Sequence, residues 1–174
     1  RQCMIGPMRY GDFSEAAEET VKELNAFARK YALVGAVKAD HIGYKCDSAA
    51  SFETRREALE VQSQYVYQSV ISKRRIAYMR LVQGIGTQLG MINFLELSDQ
   101  KPDGSQKDGF DHVEIYPILG TYEDLVAKLE QAGERVLKIE RPHHTTHDIK
   151  LSSGFLIRLC REPLIEKIRR EEMK

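Results

Sequence analysis

The sequence predicts an α+β protein made of two β-α-β-β-β modules, which form paired curved mixed sheets, with an extra helix at each end of the chain. Three observations predict it. An Asp-His-(Ile/Val) core occurs twice, at Asp40-His41-Ile42 and at Asp111-His112-Val113, 71 positions apart. Each copy lies in a stretch that reads as a strand, and residues 110–116 alternate strictly between an apolar side and a side carrying His112 and Glu114. Each copy is followed by a helix with its own cap signal and then by three strand-like runs. The last run is Phe94-Leu95-Glu96-Leu97 in one half and Leu156-Ile157-Arg158-Leu159 in the other. Glu96 and Arg158 therefore occupy equivalent places.

Composition narrows the class. The chain has 174 residues, 42% of them hydrophobic and 30% charged, with a formal net charge of +0. This suits a single globular domain over residues 1–174. With no basic surplus, neither a nucleic-acid partner nor an anionic membrane is expected. No apolar run reaches the ~18 residues of a membrane span. Arg1-Gln2-Cys3-Met4 has no apolar stretch of the signal-peptide kind, so the expected location is cytoplasmic. Cys3, Cys46 and Cys160 are odd in number and scattered, which fits buried thiols better than a disulfide framework.

The elements follow in order. Residues 10–37 hold an N-terminal helix, expected over 12–31, with Asp12 and Glu15 at capping-box spacing and an inward stripe of Ala17, Val21, Leu24, Ala28 and Tyr31. The first module spans 38–98. It comprises a strand over 39–46, a helix over 52–67 capped by Ser51, a hairpin turning at Lys73-Arg74, a strand to Val82, a loop at Gly84-Ile85-Gly86 and a strand over 90–97. That glycine pair is no dinucleotide fingerprint, since no capped helix follows it. Lys73-Arg74-Arg75 reads as an exposed hairpin tip. Residues 99–109 read as a solvated linker without calcium-loop spacing. The second module, 110–160, has a helix that starts at the Thr121 cap and stops at Gly133, then strands over 135–140, 145–151 and 155–160. A last helix, in 161–174, starts at Pro163.

Two imidazoles and a carboxylate at equivalent strand positions, His41, His112 and Glu96, are the candidate metal ligands. Neutral imidazole nitrogens and a carboxylate hold a divalent ion while leaving positions open. Spacing alone equally allows two ordinary strand histidines bonded to backbone. Glu114, on the same strand face as His112, could be a ligand, a general base or a group that supports the ligands, or simply a solvated strand glutamate; it is taken as the candidate catalytic, proton-moving residue. His143, His144 and His147 form a second cluster. Pro142 and the β-branched Thr145-Thr146 disfavour the helix that a metal-binding His-x-x-x-His pair needs, so a loop or strand edge is expected there.

The blocks Asp40-His41-Ile42-Gly43-Tyr44-Lys45-Cys46, Leu95-Glu96-Leu97, Gly109-Phe110-Asp111-His112-Val113-Glu114 and Ile157-Arg158-Leu159, with the helix start Pro163-Leu164-Ile165-Glu166, resemble the YecM family within the vicinal oxygen chelate superfamily. The resemblance covers most of residues 10–168. It implies a metal held on the concave faces of two paired modules, with ligands from the first and last strand of each. Those places here are His41, Glu96, His112 and Arg158. A guanidinium cannot ligate a cation, so three protein ligands remain, and Arg158 is expected to anchor an anionic substrate group. Lys45 and His147 join it as candidate substrate-binding residues. The implied function is that of a divalent-metal-dependent enzyme (Fe, Zn, Mn or Ni) of oxygenase, isomerase or lyase type, acting on a small anionic substrate through vicinal oxygens. The alternative is a non-catalytic small-molecule binding or sequestration protein of the same fold.

Overall fold

A computed structural model describes residues 10–71, 73–141 and 144–172. The elements are α1 (Tyr10–Lys30), β1 (Val37–Lys45), α2 (Ala49–Glu60), β2 (Ser63–Ile71), β3 (Arg74–Thr87), β4 (Gly90–Ser98), β5 (Gly109–Pro117), α3 (Tyr122–Gln131), β6 (Leu137–Glu140), β7 (Thr145–Lys150), β8 (Leu156–Leu159) and α4 (Leu164–Glu172). The strands form one eight-stranded mixed sheet in the order β2-β3-β4-β1-β5-β8-β7-β6. Each module repeats one plan. β1 pairs in parallel with β4, and β5 with β8, while β1 and β5 join the halves antiparallel. Parallel neighbours need a long crossover, which α2 with β2 and β3 supplies in one half and α3 with β6 and β7 in the other. The registers match across the halves. His41 lies opposite Phe94 as His112 lies opposite Leu156, and Gly43 opposite Glu96 as Glu114 lies opposite Arg158.

The apolar residues sort onto two faces. Ile42, Leu95, Leu97, Val113, Ile115 and Ile157 turn to one face and are covered by α1, α2 and α3 through Leu24, Phe27, Phe52, Leu59, Leu125 and Leu129. On the other face Leu164 and Ile168 of α4 pack on Phe94, with Tyr67, Tyr78 and Ile165 around them. Helix α1 begins at Tyr10, so Asp12 lies inside it rather than at its cap. Its Phe13 ring packs on Phe110 and Tyr44, with centroids 4.8 and 5.9 Å away, one aromatic from each module. Helix α3 has the expected start, with Thr121 Oγ1 accepting from the Asp124 N–H.

Four local expectations are corrected. Helix α2 is capped by Ser48, whose hydroxyl accepts from the Ser51 N–H, and it ends at Glu60. Residues 63–67 belong to strand β2, as aromatic and β-branched Tyr65-Val66-Tyr67 favour. Gly84-Ile85-Gly86 is not a loop but part of β3, at a register shift against β4. A Cβ on Gly84 would sit 2.8 Å from Asn93 Oδ1, so the glycine permits close strand approach. Of the basic turn, Arg75 is committed to ion pairs with Asp99 and Glu53.

The fourth correction concerns the linker, which is tied down rather than solvated. The Gln106 amide is buried and donates to the Cys46 carbonyl at 2.6 Å and the Asp99 carbonyl at 2.9 Å. The Asp108 carboxylate accepts from Tyr44 Oη and Ser51 Oγ, both at 2.7 Å, and from Arg55. Burial raises the Asp108 pKa, but these donors outweigh it and hold it below the usual value of 3.8. A depressed carboxylate pKa stabilises the fold above the unfolded value and loses that contribution as pH falls through the folded one. Asp108→Asn is expected to cost about 1–3 kcal/mol in urea unfolding at neutral pH, and the difference from wild type should shrink as pH falls below the usual carboxylate range. An unchanged urea midpoint would contradict the role of this staple.

Candidate metal centre

The Asp-His repeat builds the centre. β1 and β5 lie at the middle of the sheet, so the side chains of His41 and His112 are almost completely removed from solvent, each 1% exposed. The β1–β5 register slips twice, once between Ala39 and His41 and once between Gly43 and Tyr44. The first slip leaves Asp40 as the extra residue on β1, and the second leaves Asp111 as the extra residue on β5. Such bulges re-aim side chains. In both places the carboxylate turns back to the ring beside it. His41 Nδ1–H donates to Asp40 Oδ2 at 3.1 Å, and His112 Nδ1–H donates to Asp111 Oδ2 at 2.9 Å. This differs from the strict alternation read in the sequence. The bulge turns Phe110 onto the core, where it meets Phe13 and Tyr44, and brings Asp111 to the side of His112.

With Nδ1 donating, the neutral form of each ring carries its lone pair on Nε2, and the charged form a second N–H there. Both Nε2 atoms are buried; that of His41 faces two carboxylates, Glu114 Oε2 at 3.0 Å and Glu96 Oε2 at 3.6 Å, and that of His112 has no hydrogen-bond partner among the described residues. Buried polar atoms are rarely left so. The rings meet edge to face, with centroids 5.8 Å apart. Ligand atoms of His41, His112 and Glu114 all lie within 4.8 Å of one another. Glu114 Oε2 is 3.0 Å from His41 Nε2, placed there by the pairing of Glu114 opposite His41 across the strands. The equivalent partner of His112 is Gly43, and its missing side chain makes room for the ring. A Cβ there would fall 2.6 Å from His112 Nδ1 and 2.9 Å from Nε2.

Glu96 stands beside this group, with Oε2 3.6 Å from His41 Nε2 and a side chain 16% exposed against 7% for Glu114. Both carboxylates thus stand beside His41, Glu114 nearer than Glu96. Glu114, expected to move protons, lies within the close group; Glu96, expected to ligate, lies at its edge. Strand pattern fixes the face, and cross-strand register fixes the reach.

Charges of opposite sign converge in this cluster. Burial disfavours the imidazolium of His41, yet Glu114, Asp40 and Glu96 outweigh it and hold the pKa well above 6.5. Burial raises Glu114, but His41 and Lys167 pull it well below 4.5. Burial likewise raises Glu96, while the hydrogen bond from His41 and the charge of His112 bring it down to about 2. Paired imidazoles and ionised carboxylates in a buried cluster are the donor set that a divalent ion takes, with the Asp–His bonds orienting the rings. The residues present fit a metal.

The remaining candidates divide. Arg158 is mostly buried on the same face and makes a two-pronged pair with Asp148, Nε to Oδ1 at 3.0 Å and a terminal nitrogen to Oδ2 at 3.2 Å. Burial opposes its charge, but Asp148, Glu114 and Glu96 sustain it. Lys45 reaches Asp111 Oδ2 at 3.4 Å, behind His112, and lines a cleft of about 590 Å³ with Lys107, Ser153 and Phe155. His147 is not brought to the centre. It neighbours Asp148 on β7 and so faces the other way, where its Nδ1 is 2.6 Å from Tyr122 Oη of α3. Of the expected cluster of three histidines, His143 lies outside the described residues. Sequence reading missed Asp40, Asp111, Gly43 and Lys167. The doubled Asp-His pair was the available signal for the first two.

Comparison with known proteins agrees with this architecture. The chain is similar to the structural-genomics Protein EC4020 (20% identity, 90% of this chain and 91% of that one, TM-score 0.68). It is also similar to a hydroxyglutarate synthase from Oryza sativa in complex with 2-oxoadipate (10%, 90% and 82%, TM-score 0.55), and to a selenomethionine methylmalonyl-CoA epimerase (14%, 74% and 97%, TM-score 0.50). No curated protein matches the sequence. The duplicated modules and the site at their junction define a vicinal oxygen chelate fold. Within it, the family model described as YecM protein matches residues 9–155. The chain belongs to the YecM family.

Proposed function

We propose that this protein is a divalent-metal-dependent enzyme that binds a small anionic substrate through two adjacent oxygens. The observation that carries the reading is the convergence of ligand atoms of buried His41, His112 and Glu114 within 4.8 Å of one another, each ring fixed through Nδ1 by its own aspartate. His41, His112 and Glu114 would hold the ion. When bound, the ion supplies a Lewis acid that polarises a substrate oxygen. Arg158 binds the substrate's carboxylate, with Asp148 keeping the guanidinium in place. Glu96 moves the proton. Its carboxylate lies 3.6 Å from His41 Nε2 and accepts from Ser98 Oγ at 3.5 Å, and it is the less buried of the two glutamates. A 2-oxo acid, the class of ligand held by the rice hydroxyglutarate synthase, presents a carboxylate and an adjacent carbonyl oxygen and suits these groups. The likeness to that enzyme is one of fold, so the reaction type is left among oxygenase, isomerase and lyase chemistry. Among the described residues no helix is long and apolar enough to cross a membrane.

Two conservative replacements test the division of labour. Glu114→Gln is expected to weaken Zn²⁺ or Mn²⁺ binding by about 10- to 100-fold. Glu96→Gln is expected to keep the metal and to lose about 10²- to 10⁴-fold in turnover of a 2-oxo acid. Metal loss in Glu96→Gln alone would return the ligand role to Glu96. Metal binding without turnover of any 2-oxo, 2-hydroxy or catechol substrate would favour the sequestration alternative.

A further inference from the structure

Helix α4 reaches the centre at two points. The Leu164 N–H donates to Asp40 Oδ2 at 2.7 Å, the oxygen that also holds His41 Nδ1. One turn on, Lys167 Nζ donates to Glu114 Oε1 at 2.8 Å. Residues three apart share a helix face, so a single turn of α4 engages both. Leu164 and Ile168, buried against Phe94, seat that turn on the sheet. Lys167 is mostly buried, with a side chain 19% exposed. Burial disfavours its charge, but Glu114 keeps it charged. The two oxygens of Glu114 are thus divided: Oε1 belongs to Lys167, and Oε2 faces His41 Nε2.

We propose that Lys167 is a positioning residue that limits Glu114 to a single ligating oxygen and so keeps one position of the ion open for substrate. The inference rests on the reading of Glu114 as a ligand. A carboxylate can chelate through both oxygens when nothing competes for the second. An ammonium committed to Oε1 competes for it and also repels the approaching dication. Removing the lysine therefore acts in one direction by both routes: it frees an additional donor oxygen and removes a like charge. A lysine that only tied α4 to the sheet would act in the opposite direction, since its loss would loosen the ligand set.

The test loads wild type, Lys167→Met, Lys167→Ala and Lys167→Arg with Zn²⁺ or Co²⁺ after far-UV circular dichroism has shown each to be folded. In the Met and Ala variants X-ray absorption is expected to show one more oxygen around Zn²⁺. The visible bands of the Co²⁺ form should lose intensity as coordination rises. Affinity should increase by about tenfold or more. Lys167→Arg restores a cationic donor and should return coordination and affinity towards wild type. Unchanged spectra in both neutral variants, or weaker binding with unchanged coordination, would overturn the role given to Lys167. Wild type that takes up neither metal would overturn the ligand assignment itself, so the two failures are distinguishable.

Discussion

Gly43→Ala is expected to weaken metal binding strongly although residue 43 has no side chain to offer as a ligand. The added methyl would fall on three atoms of the His112 ring, at 2.9 Å or closer. That ring is buried on a short side chain and is held at Nδ1 by Asp111, so it has no slack to give. The backbone at Gly43 is not left-handed, so the clash is the only cost of the change. Its relief must turn or expel the imidazole, with about 1–3 kcal/mol of overpacking and a fall in metal affinity of about a hundredfold or more. The two effects separate in a double-mutant cycle. In a His112→Ala background the ring is gone, and Gly43→Ala should cost almost nothing in stability. An alanine at 43 that leaves Zn²⁺ affinity within a few-fold of wild type would contradict the placement of His112.

His112→Ala and His41→Ala are expected to show the largest loss, at least about a hundredfold in affinity each. Each removes a nitrogen donor whose orientation is already set by its aspartate, and nothing among the described residues replaces it. His41→Ala carries a second consequence. It leaves the carboxylates of Glu96 and Glu114 together without the imidazole that holds both well below their usual range. In the metal-free protein at least one of them should then titrate at a higher pH, measurable by carboxylate NMR. Retention of wild-type metal content in both histidine variants would place the ion elsewhere.

Much of this was legible in the sequence, for a physical reason. A duplicated module repeats its constraints, so the second Asp-His pair marked the first. The capped helix at Thr121 and the equivalence of Glu96 with Arg158 followed from the same repetition. What escaped depends on register and tertiary contact. Alternation put Phe110 on the face of His112 and Asp111 on the core face, because a one-residue bulge leaves no mark on a period-two pattern. It also could not tell that Glu114 lies opposite His41 while Glu96 lies opposite Gly43. The helix ending at Glu60 was extended through Tyr65-Val66-Tyr67, where sheet pairing overrides the apparent continuation. Lys167 sat in a charged terminal helix that reads as solvated, and only the packing of α4 on Phe94 brings it inward. Gln106 and Asp108 were likewise hidden in a hydrophilic run.

The central claim is that the buried Nε2 atoms of His41 and His112, with Glu114, hold an ion. Elemental analysis of the chain purified without a histidine tag and without chelator tests it most directly, run beside His112→Ala prepared in the same way. The account expects one divalent transition-metal ion per wild-type chain and almost none in the variant. A wild-type protein that stays metal-free after dialysis against Fe²⁺, Zn²⁺, Mn²⁺ and Ni²⁺ in turn, or a variant with the same metal content as wild type, would contradict it.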